Sequence, residues 1–394
     1  MNNYEPINNS YLISSKIVRA IRAVIGEKKN TLHEPTFKGK EWEYVKDCLD
    51  SGFVSSVGQY VEKFENKITE YTGARYAVAV VNGTAALHLG LIVAGVKFDD
   101  EVLVPSLTFV ATANAVSYIG AKPHFVDINA KDLGIDATKL KAYLKEISEI
   151  KDGFCVNKKT GRVIRAIVPM HVFGHPCNLK ELLPLCNEFK IKVVEDAAES
   201  LGSFYDKKHT GTFGNVGVIS FNGNKTITTG GGGIILTDDI EIATHAKHLS
   251  TTAKSNHPFA YIHTEIGFNY RMPNLNAALG CAQLEQLPEL LNSKRRLYSA
   301  YSKVFSEIPG VSLFQEPPLC KSNYWLQAIL LNEEFMSCQK EIIESCIVDG
   351  ISVRPVWKPL HKLSIYENSP ASPLPVTNNL SERIINIPSS AGLA

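Results

Sequence analysis

Apolar residues recur at helical spacing through Ile17, Val18, Ile21, Val24 and Ile25, which predicts an amphipathic helix over 15–25. Leu32-His33-Glu34-Pro35 breaks that pattern, and two further helices are predicted over 40–50 and 59–71. From residue 76 the texture changes. Short apolar runs at 76–81, 101–105, 123–127, 163–169, 191–196, 216–221 and 233–237 alternate with helical stretches at 84–95, 109–119, 137–148, 178–189 and 239–248. Continuous apolar strands separated by helices predict an α/β fold, with a mostly parallel sheet covered on both faces. Ligands in such sheets bind beyond the carboxyl ends of the strands, so chemistry is sought there. After about residue 285 a charged helix (286–307) leads to strands at 326–331 and 351–355, with prolines clustered at 317–318, 355–359 and 370–375. The expected organisation is an N-terminal helical arm (1–30), a large domain (31–285) and a small C-terminal α+β domain (286–394).

A chain of 394 residues fits two domains at roughly 100–200 residues each. Lys plus Arg number 41 and Asp plus Glu 40, a net charge of +1. That balance argues against a nucleic-acid-coating surface and against a polybasic membrane anchor. The eight cysteines form no CxxC pair and mostly sit in apolar runs, so they read as buried thiols of a reducing compartment. The first residues show no signal-peptide core, and no apolar run approaches the roughly 20 residues that span a bilayer. A cytoplasmic enzyme with neither nucleic-acid nor membrane partners is expected.

The strand ends carry the chemistry. After the first comes Asn82-Gly83-Thr84, opening a helix whose free amides form an anion site; a plain cap after a glycine turn would look the same. Phe109, beyond the second, either stacks on a planar ring or belongs to the core. Asp196 follows a fully apolar run, where a carboxylate needs a partner; a protonated pyridine nitrogen or a helix cap would serve. Beyond the sixth, Ser220 and Lys225 precede the glycines 230–233. A solvated lysine needs no such surroundings, whereas a Schiff-base lysine must lose its proton. Together these positions supply a phosphate cradle, a ring stacker, a ring-nitrogen carboxylate and a reactive lysine. That is the set that holds pyridoxal phosphate (PLP), whose protonated ring acts as an electron sink. His171 and His175 are four apart, but Gly174 and Pro176 interrupt any helix, so no metal is expected. The basic run 151–165 reads as a solvated hairpin or loop.

From Leu32 onward the chain resembles the DegT/DnrJ/EryC1/StrS family of PLP-dependent sugar aminotransferases, of the aspartate aminotransferase fold type (fold type I). The resemblance rests on NGTAALHLG, PSLTFVATANAV, VPMHVFG, VVEDAAESLGS, ISFNGNK, GFNYRMPNLNAALGCAQLE and RPVWKPLH. LHEPTFKGKEWEYVKDCLDSGFVSSVGQYVEKFE and ISFNGNKTITTGGGG are similar to its LegC-like subgroup, associated with 4-amino-4,6-dideoxy-N-acetylhexosamine nucleotides. The resemblance implies that Lys225 is the catalytic, cofactor-bonding lysine and that Asp196 meets the pyridine nitrogen. It implies that Glu199 stands near the ring hydroxyl where glutamine is usual, that Phe109 covers the ring, that Gly83, Thr84 and Ser220 hold the phosphate, and that Asn222 is a further cofactor-binding residue. Asn269 matches an asparagine that reaches the phosphate of the neighbouring subunit, so a homodimer with shared active sites is implied. For the substrate side, His171, Asn224, His257, Arg271, Tyr324, Trp357, Lys358 and His361 are expected near the sugar nucleotide. Two departures stand out: Glu199 for glutamine, and Gly230–Gly233 where GEGG is common. The implied activity is transfer of an amine from L-glutamate to a 4-keto-6-deoxy-N-acetylhexosamine, UDP-linked by expectation. The alternatives are a GDP-linked 4-keto sugar or a 3-keto sugar. PLP would alternate with its pyridoxamine form.

Overall fold

The computed structural model describes residues 5–393; residues 1–4 of the expected arm, and residue 394, lie outside the described residues. The first strands are β1 (Tyr76–Val80), β2 (Glu101–Pro105), β3 (Lys122–Val126), β4 (Ser148–Lys151), β5 (Phe154–Asn157) and β6 (Ile164–Ile167). Then come β7 (Lys192–Asp196), β8 (Phe204–Tyr205), β9 (Lys208–His209), β10 (Val216–Ser220) and β11 (Gly233–Thr237). The chain continues through β12 (Val311–Leu313), β13 (Cys320–Lys321), β14 (Gln327–Leu331), β15 (Arg354–Pro355) and β16 (Ile384–Ile387).

Seven strands form the central sheet in the order β1-β11-β10-β7-β6-β2-β3. The pairs from β10 through β7, β6 and β2 to β3 are parallel, and β11 runs antiparallel to both neighbours. The sheet is therefore mostly parallel, and every expected strand of it is present. Its strands are largely buried and rich in apolar residues because helices cover both faces. Helices Gly83–Val93, Val110–Tyr118 and Ile240–Ser250 bury Leu89, Val116 and Leu249 with Val104, Val194 and Val218. On the opposite face Phe64, Ile68, Ala277 and Leu287 pack on Ile219, Ile234 and Leu236.

A second, antiparallel sheet (β12-β14-β16-β15) builds the smaller C-terminal domain. Ile13, Ile17 and Ile21 of the N-terminal helix bury against Leu297, Tyr301, Ile342 and Ile385. Arg22 Nε pairs with Asp349 at 2.6 Å.

Some elements differ from the periodicity. The N-terminal helix starts at Glu5 rather than 15, and the charged helix starts at Asn274 rather than 286. Residues 274–285 carry one charge and bury Ala277, Ala278, Cys281 and Leu284 against the large sheet, so charge density marked only the later half of one 32-residue helix. The strand expected over 351–355 keeps two paired residues, since Pro355 has no amide to donate and β15 is an edge strand. Seven of the eight cysteines are buried, and all eight are free thiols. Among the described residues no helix is long and apolar enough to cross a membrane.

Candidate active site

The ends of β1, β2, β7 and β10 converge on a cavity of about 330 Å³. At one end Gly83 opens its helix, and Asn82 accepts the Ala85 amide at 2.7 Å. The earlier amides, Gly83 and Thr84, lack intrahelical acceptors by helix geometry, which leaves an anion site beside the Ser220 hydroxyl. A Cβ at Gly83 would sit 2.8 Å from Ser220 Cβ, and one at Gly233 would sit 2.4 Å from Asn82 O. Glycine at these two positions is what brings β10 and β11 up against the helix start.

Asp196, at the end of β7, is buried. Its carboxylate accepts Thr112 Oγ1 at 2.8 Å and the Ala198 amide at 3.2 Å. Burial pushes its carboxyl above the usual range, with the Thr112 and Ala198 bonds pulling the other way. A cationic partner in the cavity would hold it ionised. Behind it, Glu195 collects His171 Nε2 at 3.1 Å and the amides of Gly211, Phe213 and Gly214 at 2.8, 2.6 and 2.6 Å. Burial alone would raise Glu195, but the His171 bond and these amides hold it below the usual value. Because the Cys177 amide donates to His171 Nδ1 at 3.2 Å, the His171 proton lies on Nε2.

Lys225 lies in the turn after β10, its amide bonded to Asn222 O at 2.9 Å. Its Nζ stands 3.8 Å from the centre of the Trp325 ring and 3.5 Å from Glu199 Oε1. Glu199 Oε2 accepts the Phe173 amide at 2.9 Å. Burial pushes the Glu199 carboxyl up to about 7, against the pull of Lys225.

Gly83, Thr84, Phe109, Asp196, Glu199, Ser220, Asn222, Asn224, Lys225 and Trp357 line the cavity together. The other expected residues stand apart from it. His171 is buried on Glu195, and Tyr324 is buried and stacked on Tyr298 at 4.3 Å. His361 Nδ1 meets Ser106 Oγ at 2.6 Å, fastening its loop to the end of β2, and Lys358 is exposed beside it. His257 accepts the Ala260 amide at 2.9 Å within its own turn. Asn269 and Arg271 are exposed and bonded to each other at 3.2 Å. Two contributors escaped the sequence reading. Trp325 forms the wall under Lys225 and donates to Asn224 O at 2.7 Å, and Thr112 orients Asp196. An aromatic doublet at 324–325 was the signal for the first: Tyr324 adopts φ +48, which turns the two rings to different sides.

PLP, which the sequence resemblance implies, suits this donor set. The helix start and Ser220 fit a phosphate, and a Cβ at Gly83 would intrude there. The buried Asp196 carboxylate fits a protonated ring nitrogen, and Lys225 is the amine within the same walls.

The sequence profile of the DegT/DnrJ/EryC1/StrS aminotransferase family matches residues 35–394. The chain is 37% identical to GDP-perosamine synthase of Escherichia coli O157:H7, over 92% of this chain and 94% of that protein. It is 32% identical to UDP-4-amino-4,6-dideoxy-N-acetyl-beta-L-altrosamine transaminase of Campylobacter jejuni, over 79% of each. Among solved structures, Helicobacter pylori PseC, an aminotransferase involved in the biosynthesis of pseudoaminic acid, superposes with a TM-score of 0.83. It is 27% identical, covering 93% of this chain and 95% of that one.

Proposed function

From the fact that the chain belongs to the DegT/DnrJ/EryC1/StrS aminotransferase family, we propose that it moves an amino group from L-glutamate to C4 of a nucleotide-linked 4-keto-6-deoxyhexose. It is a sugar-nucleotide aminotransferase of fold type I that uses PLP. The observation that carries the finer reading is the convergence of Lys225, Asp196 and the Gly83 helix start on one cavity.

When bound, the cofactor supplies an electron sink for the carbon that loses its proton. Lys225 would hold it covalently, and Asp196 would keep its ring nitrogen protonated. The Gly83 and Thr84 amides with Ser220 would bind its phosphate. Thr112 and Ala198 fix the Asp196 carboxylate before anything binds, so no reorientation is needed during reaction. Once its amine is free, Lys225 Nζ removes the α-proton of the amino donor, and on the return half it delivers a proton to C4 of the sugar. Trp325, Trp357 and Phe109 wall the cavity around that amine.

The match to GDP-perosamine synthase, over more than nine-tenths of both chains, favours a GDP-linked sugar. The sequence alone put UDP first. That second reading keeps support from the altrosamine transaminase and from the LegC-like motifs. Asn269 and Arg271 are exposed and do not line their own cavity, on a segment with exposed Phe259, Tyr261 and Ile266. This supports a homodimer in which Asn269 completes the partner's phosphate site and Arg271 serves its substrate.

The test offers PLP-loaded protein L-glutamate with GDP-4-keto-6-deoxymannose or UDP-2-acetamido-4-keto-2,6-dideoxyglucose, and reads products by mass spectrometry. The GDP-linked amino sugar is expected, and it should be absent with Lys225→Ala. Exclusive turnover of the UDP sugar would reverse the nucleotide assignment, and no amino sugar from either would refute the 4-keto assignment.

A further inference from the structure

Glu199 is a buried acid in a position the chemistry above leaves unused. Its side chain is 2% exposed. One oxygen is pinned by the Phe173 amide, and the other faces Lys225 Nζ at 3.5 Å. The pin is itself built in. Phe173 holds φ +57, a region that non-glycine residues rarely enter, and this sets its amide toward Glu199. Asn323 clamps the same segment, its Nδ2 donating to Glu199 O at 2.8 Å and Leu201 O at 2.9 Å. The ionisable groups that face the Glu199 carboxyl are Lys225 and Asp196. Asp196 is held by Thr112 and Ala198, leaving Lys225 as the group with a proton to exchange.

We propose that Glu199 is the proton acceptor of Lys225: the two side chains share one proton, and Glu199 holds it whenever the Lys225 amine must act as a base. In the exchange one N–H bond of the Lys225 ammonium breaks, its electron pair stays on nitrogen, and an O–H bond forms on Glu199 Oε1. No other reactant is required. A free ammonium cannot remove a proton from substrate, so the amine needs an acceptor, and Glu199 Oε1 stands within its reach. Burial pushes the Glu199 carboxyl up to about 7, so it can take or release a proton near neutral pH. A glutamine would keep the Phe173 bond and could not take the proton. The inference rests on the reading of Lys225 as the base, but its first test needs neither cofactor nor sugar.

That test acetylates cofactor-free protein with trace acetic anhydride across pH and follows the Lys225 peptide by mass spectrometry. Glu199→Gln removes the anion that favours the ammonium. The pH midpoint for Lys225 labelling should fall by at least about one unit, the usual effect of an opposite charge at this range. The second test follows single-turnover conversion of the loaded protein by L-glutamate. The wild-type acid limb near pH 7 should vanish in Glu199→Gln, and the variant's rate should instead follow the Lys225 labelling midpoint found in the first test. Glu199→Asp keeps a carboxylate and should retain the limb. It also stands in if the glutamine variant fails to fold, because its longer reach to Lys225 should lower the labelling midpoint. An unchanged midpoint with an unchanged limb would overturn the proposal. A shifted midpoint in a protein that aminates neither sugar would keep the pair and sink the proposed reaction instead.

Discussion

At the scale of single residues, the site depends on charges held ready in a buried wall. Lys225→Ala removes both the covalent anchor and the base. It should lose at least the roughly 10²–10⁴-fold assigned to positioned proton transfer, and borohydride should fix no cofactor on the chain. Asp196→Asn keeps the shape and the Thr112 bond but not the charge. It should lower kcat/KM by about 10²-fold, a loss typical of a preorganised electrostatic group. It should also lower the pH at which the bound cofactor's ring nitrogen loses its proton, read by absorbance. Asp196 and Ser220 were legible because each ends an apolar strand, Gly83 because it opens a helix beyond one, and Lys225 because small polar residues and glycines surround it. Trp325 and Thr112 were not. Their roles depend on the backbone turn at Tyr324 and on the rotation of a helix, which the aromatic doublet and the helical spacing alone do not fix.

At the scale of elements, close approach and burial decide. Gly83→Ala would push a methyl into Ser220 Cβ at 2.8 Å. It should weaken PLP affinity at least about tenfold, or about 1.4 kcal/mol, measured by fluorescence titration. His175 shows a different cost. Both its ring nitrogens lack a partner among the described residues, and burial pushes its pKa down to about 4. Its folded pKa lies below the unfolded 6.5, so the unfolded chain takes the proton first. The stability it permits is present above pH 6.5 and is lost as pH falls toward 4, of order 3 kcal/mol in full. His175→Leu should flatten that part of the dependence of Tm on pH, followed by calorimetry from pH 7 to 4.5. An unchanged slope would contradict it. The sequence reads the run 230–233 either as letting the backbone pass close to a cofactor or as a flexible hairpin. The structure gives Gly233 a packing reason, since a Cβ there would meet Asn82 O at 2.4 Å.

At the scale of the whole molecule, alternation of apolar runs with helices was enough to predict the mostly parallel sheet and its covered faces. It could not predict that one helix, Asn274–Phe305, serves both cores, because the helix changes composition where it changes neighbours. The proposed part of Asn269 and Arg271 in a partner's site cannot be read from one chain, in which both are simply exposed. The protein should therefore run as a dimer by light scattering. Asn269→Ala should weaken phosphate binding without unfolding either subunit. The central claim is that nitrogen passes from an amino acid to a sugar nucleotide through Lys225, and isotope transfer tests it most directly. With ¹⁵N-labelled L-glutamate and the 4-keto sugar nucleotide, the amino sugar should carry the label and weigh one unit more than product made with unlabelled donor. A product without label, or labelled product from Lys225→Ala at the wild-type rate, would contradict the account.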